Sequence, residues 1–246
     1  RTRNYQTPRQ TRPKANPAIQ GTEIKILRLK PDQRIFFSKN ANHQRIRKQL
    51  ARIYAPLLLS KDGAFVLQIN GQAVQARRPC YWDPSRSVPG RDGRDVHAVG
   101  TFDIALAPRL HCLTHMTAFS KGECCPTAGP DCQIVETPRR LRGWVGIQRY
   151  LHEEEYGLDI VRNGRVIEPQ NKELFVWTGG DRPEREYPID DPRNRGRFIG
   201  EIHLDHCRVH YTKDHFERDD PSWSEMLELI RGPGPLRPEK GRSLGF

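Results

Sequence analysis

The chain has 246 residues, of which 35% are hydrophobic and 29% are charged, and its formal net charge is +11. This length allows one large or two small domains with a core, and no apolar run approaches the ~20 residues of a membrane-spanning helix. The basic N-terminus has no apolar stretch after it and shows no signal peptide, so we expect a soluble, cytoplasmic protein without a membrane partner. The charge favours a polyanion such as DNA, although basic surfaces also serve solubility.

The first thirty residues predict a basic segment and one strand. Residues 1–20 contain arginine, lysine and proline but no acid, which is typical of a flexible segment. It is either an arm on a phosphate backbone or a simple loop. Gly21 to Leu29 alternates apolar and polar residues and predicts a half-buried strand.

A helix is predicted from His43 to Tyr54, because Ile46, Leu50 and Ile53 recur at helical spacing and Pro56 follows. Its other face is basic, and its candidate nucleic-acid contacts are Arg45, Lys48 and Arg52. A solvated face and a helix lying along a nucleic-acid backbone both explain this pattern.

Two stretches then predict strands of one sheet. Asn70-Gly71 between two β-prone runs predicts a hairpin with a type I′ turn, which needs two residues with positive φ. Val96 to Leu106 alternates again and predicts a further strand.

A cysteine-rich insert follows at residues 111–138. Its thiols are Cys112, Cys124, Cys125 and Cys132, and His115 lies among them. Such clustering in a cytoplasmic protein indicates a metal before a disulfide, and tetrahedral zinc takes four nitrogen or sulfur ligands. The fourth ligand is either His115 or the second of the adjacent cysteines, and free buried thiols and a disulfide are the other interpretations. Three arginines beside the insert are candidate backbone contacts: Arg139, Arg140 and Arg142.

The stretch from Tyr156 to Phe216 organises the second half. Asn163-Gly164 predicts a second hairpin, and Gly200 to Tyr211 predicts a long strand that bends near Asp205-His206. Thr212-Lys213-Asp214-His215-Phe216 follows that strand. Lys213 therefore leaves the sheet where it can reach an anionic group, although a surface lysine is usually only solvated.

The order of these segments resembles the transducer domain of the GHKL ATPase superfamily, which includes gyrase B, MutL, histidine kinases, the heat-shock chaperone ATPases and MORC proteins. The bacterial MORC-like branch is the most similar. The resemblance implies that Lys213, in a motif similar to Asn-Lys-x-Asp-Phe, contacts the γ-phosphate of ATP in a neighbouring lobe. The motif here has Thr for Asn and His for Asp, and a cysteine-rich insert stands where MORC proteins have a coiled coil.

The resemblance also implies an α+β fold with a transducer-like mixed sheet and packed helices, to which the cysteine spacing adds a small zinc insert. Its implied divisions are residues 1–31, a basic segment with the last strand of an ATP-binding lobe; 32–110, the first half of the transducer; 111–138, the insert; and 139–246, the second half with a C-terminal helix and tail. The magnesium-binding, adenine-binding and lid motifs of the lobe are absent from the sequence. We therefore expect this chain to be inactive alone, with ATP and magnesium bound by a missing lobe.

Two functions follow as expectations. The first is the transducer fragment of an ATP-dependent DNA-transaction protein that dimerises on ATP binding, in restriction, phage defence or repair, with other such proteins as possible partners. The second is a zinc-containing nucleic-acid-binding or scaffold domain without ATP chemistry. A nuclease is a third interpretation. It is disfavoured because His203, Asp205, His206 and His210 point to alternate sides of the predicted strand and cannot all converge on one metal ion. A capping box at Ser222 to Glu225 predicts the C-terminal helix.

Overall fold

The computed structural model describes residues 21–232, apart from positions 62, 64, 91, 116, 121, 124, 128, 179–180, 187–188 and 190–195. The predicted basic segment 1–20, Cys124 and the tail after Gly232 lie outside the described residues. Residues 1–43 and residues 44–246 form two separate units. The strands described below all belong to the second unit.

Four helices and twelve strands are described. The helices are α1 Pro31–Ser38, α2 Asn40–Ile53, α3 Ala55–Leu58 and α4 Pro221–Arg231. The strands are β1 Gln68–Ile69, β2 Gln72–Ala73, β3 Ser87–Pro89, β4 Asp95–His97, β5 Val99–Cys112, β6 Thr117–Ser120, β7 Ile134–Ile147, β8 Gly157–Arg162, β9 Arg165–Asn171, β10 Val176–Trp177, β11 Glu184–Arg185 and β12 Phe198–His203.

The main sheet has six strands in the order β6-β5-β7-β12-β8-β9. Strand β12 is antiparallel to β7 and parallel to β8, so the sheet is mixed. Strands β5 and β7 form a hairpin of two 14-residue strands, with β6 along the outer edge of its far end. The predicted α+β class with a mixed sheet is confirmed.

The two Asn-Gly hairpins are confirmed. Asn70 and Gly71 have φ values of 50° and 74°, and Asn163 and Gly164 have 48° and 75°, as a type I′ turn requires. The second turn joins β8 to β9 in the main sheet. The first joins two-residue strands that form a separate sheet, so the prediction of a single sheet was wrong for this hairpin.

The core lies between one face of the sheet and α4. Leu158 and Ile160 of β8 and Ile202 of β12 are fully buried with Trp223 and Met226 of α4. The intervening residues of these strands point to the opposite face. There Asp159 of β8 forms an ion pair with Arg52 of α2 at 3.1 Å, so this basic residue ties the helix to the sheet.

Two strand predictions need correction. Gly21 to Leu29 contains no strand, and Ile24 and Leu27 are about four-fifths exposed. An alternating pattern gives a strand only where a neighbouring strand supplies hydrogen bonds, and no described strand pairs with this segment. The long strand predicted from Gly200 to Tyr211 ends at His203, because the chain turns at Asp205.

Of the two predictions about helix ends, the one for α4 was wrong. Asp220, not Ser222, caps α4, since its buried carboxylate accepts a hydrogen bond from the backbone N–H of Ser222. The helix predicted to end at Tyr54 ends at Ile53, so this prediction is confirmed to within one residue, and Pro56 lies in the first turn of the next helix, α3. Proline fits there because the first N–H groups of a helix have no partner within it.

Candidate metal centre

The far end of the β5–β7 hairpin gathers four metal-ligating side chains. Cys112 is the last residue of β5, His115 lies in the following turn, Cys125 follows β6, and Cys132 stands two residues before β7. Their four ligand atoms all lie within 4.8 Å of one another. The hairpin topology therefore brings together residues that span 21 positions of the chain.

The two arms of the hairpin are tied to each other beside these ligands. The backbone N–H of Leu113 donates to the carbonyl of Gln133 at 2.8 Å. The Thr114 hydroxyl donates to the carbonyl of Asp131 at 2.7 Å and accepts from the N–H of Gln133 at 3.2 Å. Phe119 of β6 is buried with Cys112 and Cys125 and closes the apolar side. The ligands are thus held by a local framework of backbone bonds and apolar contacts.

The distances suit a tetrahedral ion. The Nδ1 atom of His115 lies 3.3 Å from the sulfur of Cys112 and 3.5 Å from the sulfurs of Cys125 and Cys132. A tetrahedral zinc ion, with Zn–S of about 2.3 Å and Zn–N of about 2.0–2.1 Å, separates its sulfur and nitrogen ligands by about 3.6 Å. Hydrogen bonding does not explain three thiols around one nitrogen, because a ring nitrogen makes a single hydrogen bond as donor or acceptor.

The thiols are unequal in acidity. Burial opposes ionisation of Cys112, but hydrogen bonds from the backbone and ring of His115 and from the neighbouring thiols outweigh it and lower the pKa of Cys112 to about 6. At Cys132 a backbone hydrogen bond from Gly129 favours the thiolate, but burial and the thiols of Cys112 and Cys125 outweigh it and raise the pKa. The cluster therefore favours one thiolate, the form in which cysteine binds a metal.

The structure brings together four of the predicted ligands. His115 lies in one group with Cys112, Cys125 and Cys132, and the predicted ligand Cys124 lies outside the described residues. The three cysteines of this cluster are free thiols, not disulfide-bonded. The described residues can therefore hold a metal ion.

Lys213 lies at the tip of a small exposed turn, with φ of 58°. A bridge between Val209 and Phe216 closes the turn, and the backbone N–H of Lys213 donates to the carbonyl of His210 at 2.8 Å. Phe216 is fully buried, and its N–H donates to the carboxylate of Glu168 at 2.7 Å. Thus a fixed base supports the exposed lysine.

The same turn brings His210, Asp214 and His215 together. Within the described residues, His203, Asp205 and His206 belong to no grouping of metal-ligating side chains. His206 instead has both ring nitrogens buried without a hydrogen-bond partner, and burial with the nearby Arg139 lowers its pKa. The residues considered for a nuclease are therefore not gathered into one site among the described residues.

The predicted nucleic-acid residues are dispersed. Arg45 and Lys48 lie on an exposed face of α2, whereas Arg52 forms an ion pair with Asp159. The three arginines of β7 all have acidic partners: Arg139 with Glu225 at 2.5 Å, Arg140 with Asp103, and Arg142 with Asp205 at 3.8 Å. The sequence alone could not predict these ion pairs, because each acidic partner is far from its arginine along the chain.

The chain matches no protein-family model and no curated protein sequence. Within the described part of the chain, no helix is both long and apolar enough to cross a bilayer.

Proposed function

We propose that this chain is a nucleic-acid-binding module whose long hairpin is closed at its end by a structural zinc ion. The observation that carries the proposal is the convergence of Cys112, His115, Cys125 and Cys132 at tetrahedral spacing. Three thiols and one imidazole suit zinc better than magnesium or calcium, which prefer oxygen ligands. With all four positions filled by protein, such an ion stabilises the fold and offers no place to a substrate.

The zinc ion would fix the one end of the β5–β7 hairpin that the main core does not reach. Among the described residues, the apolar cluster at this end is small and centres on Phe119, and small cores commonly need a metal or a disulfide. Nucleic acid is proposed as the partner because of the net charge of +11, which attracts phosphates over a long range.

The zinc proposal is tested by metal analysis of the chain purified from zinc-supplied cells. We expect about one zinc per chain in the wild type and in Cys80→Ser, the matched control, because Cys80 is an exposed thiol away from the cluster. Cys125→Ser removes one of four ligands and should lose most of the zinc and lower the melting temperature. Metal-free wild-type protein, or equal zinc in both variants, would refute the proposal.

A second candidate is the transducer fragment of a GHKL-type ATPase, which would couple ATP binding in another lobe to dimerisation and DNA binding. The observation that favours it is the exposed Lys213 on a turn whose base is fixed by Phe216 and Glu168. A mobile ammonium at such a point adds positive charge beside a phosphate without imposing a fixed geometry. The zinc-closed hairpin is compatible with this role, in restriction, phage defence or repair.

The transducer proposal is tested with the full-length protein that the gene encodes. If Lys213 contacts the γ-phosphate, Lys213→Gln should lower ATP turnover at least tenfold while DNA binding is retained. Lys61→Gln is the control, since Lys61 is also exposed and the substitution removes the same charge. Equal turnover in the two variants would exclude this role for Lys213.

A further inference from the structure

A surface patch of aromatic and arginine side chains lies at the other end of β7. Its members, called here the Trp82 patch, are Tyr81, Trp82, Arg86 and Arg149. The guanidinium carbon of Arg86 lies 4.3 Å from the centre of the Trp82 ring, and that of Arg149 lies 5.4 Å from it. Both distances are within the cation–π range of about 6 Å.

Main-chain bonds fix the patch to the sheet. The N–H of Trp82 donates to the carbonyl of Ile147, and the N–H of Arg149 donates to the carbonyl of Cys80, both at 3.1 Å. Tyr81 forms a β-bridge with Gln148. Segments far apart in sequence are therefore held side by side, so a ligand would meet a preformed surface.

The two arginines are available to an anion. Both are exposed, and neither forms an ion pair within the described part of the chain. Asp83, the acid among the described residues that line the recess beside them, accepts hydrogen bonds from the hydroxyl and backbone N–H of Ser85 and forms no ion pair with either arginine within the described residues. Arg139, Arg140 and Arg142 differ in that each has an acidic partner.

The patch also offers space and an aromatic surface. Its side chains line a recess of about 620 Å³ together with Asp83 and Pro84. Tyr81 remains 36% exposed while its ring packs against Trp144 at 5.1 Å. Bases stack on tyrosine rings and on guanidinium planes, but only when they are released from a duplex.

We propose that the Trp82 patch binds single-stranded nucleic acid, with bases stacked on Tyr81 and on the arginines and with phosphates bound by Arg86 and Arg149. The proposal rests on the nucleic-acid partner proposed above. It adds which surface binds the nucleic acid and that the bound nucleic acid is single-stranded. The sequence predicted nucleic-acid contacts at the arginines of β7, which are ion-paired in the structure. The proposal assigns these contacts to Arg86 and Arg149 instead.

The test is fluorescence anisotropy with labelled oligothymidylate, labelled oligouridylate and a DNA duplex of the same length, at several salt concentrations. Arg86→Gln/Arg149→Gln should weaken single-strand binding at least tenfold. Arg140→Gln/Arg142→Gln removes the same charge from ion-paired positions and should weaken it less than twofold. Tyr81→Leu keeps the charge, so it should weaken binding about fivefold, the low end for one lost base stack, without changing the salt dependence. Circular dichroism checks that each variant is folded.

Three other results of this experiment would each refute a part of the proposal. Equal losses in the two double variants would show binding by net charge alone and overturn the patch. If the wild type bound the duplex as tightly as the single strands, the proposed preference for single-stranded nucleic acid would be refuted. If the wild type binds none of the three probes, both the patch and the nucleic-acid part of the proposed function fail, whereas the zinc measurement stands independently. The DNA and RNA arms identify which polynucleotide is preferred.

Discussion

Glu168 is the buried anchor of the Lys213 turn, and Glu168→Gln is the most informative single change. One carboxylate oxygen accepts from the N–H of Phe216 and from Arg218, both at 2.7 Å. The other accepts from Arg218 at 2.8 Å and from Asn171 at 2.6 Å. Glutamine keeps the shape but replaces one oxygen by an NH₂ group, which then faces donors instead of supplying an acceptor.

The expected loss in unfolding free energy at pH 7 is about 3 kcal/mol, the lower end for breaking one side of a buried ion pair. We use the lower end because the side chain of Arg218 is 37% exposed. In the variant it can still be hydrated, and it retains its contact with the Trp223 ring. Urea unfolding followed by circular dichroism measures the difference. Asp103→Asn, which removes the exposed partner of Arg140, is the control and should cost much less than Glu168→Gln, because exposed ion pairs contribute little to stability.

The pH dependence gives a sharper check. Burial raises the pKa of Glu168, but Arg218, the Phe216 N–H and Asn171 outweigh it, and the net pKa is lowered. The pair therefore stabilises the wild type above the unfolded pKa of about 4.3, and this contribution is lost as the pH falls through the lower folded value. The gap between wild type and Glu168→Gln should shrink below about pH 4. A loss under about 0.5 kcal/mol at pH 7, or a gap constant with pH, would refute the reasoning.

Three further predictions concern the cap, a turn and a buried thiol. Asp220→Ala removes the cap of α4 together with the bonds of that buried carboxylate to Arg208, and should cost at least the ~1–2 kcal/mol of a lost cap in urea unfolding; a neutral effect would contradict the assigned cap. Gly164→Ala should destabilise more than Gly71→Ala, since both glycines have positive φ but only at Gly164 would the new methyl meet another side chain; equal thermal melts would count against this packing. Burial chiefly, and then a nearby acid, raise the pKa of Cys207 to about 12, so a thiol reagent at pH 8 should modify the exposed Cys80 at once and Cys207 only after unfolding. Rapid native labelling of Cys207 would exclude its buried position.

The sequence was sufficient where the determinants are local. Asn163-Gly164 defines its turn because two adjacent residues must adopt positive φ, and no distant contact is required. The cysteine cluster was visible for the same reason, since its ligands lie within one short segment. The choice of His115 as the fourth ligand was not, because it depends on how the turn after Cys112 folds back against Cys132.

Sequence reasoning failed where a partner had to come from elsewhere in the chain. Gly21 to Leu29 has the alternation of a strand, yet alternation does not supply a neighbouring strand. Glu168 and Arg218 are 50 positions apart, so nothing in the local pattern distinguishes this buried pair from two solvated charges.

The arginines make the same point for function. A net charge of +11 predicts attraction to polyanions, but an arginine that already holds a carboxylate must give up that partner before it holds a phosphate. Arg139, clustered with other arginines in the sequence, is paired with Glu225 across 86 positions. Arg86 is less conspicuous in the sequence, yet its guanidinium packs on Trp82 without an acidic partner among the described residues. Clustering in sequence therefore identifies basic segments, whereas pairing in the fold decides which arginines are free to bind.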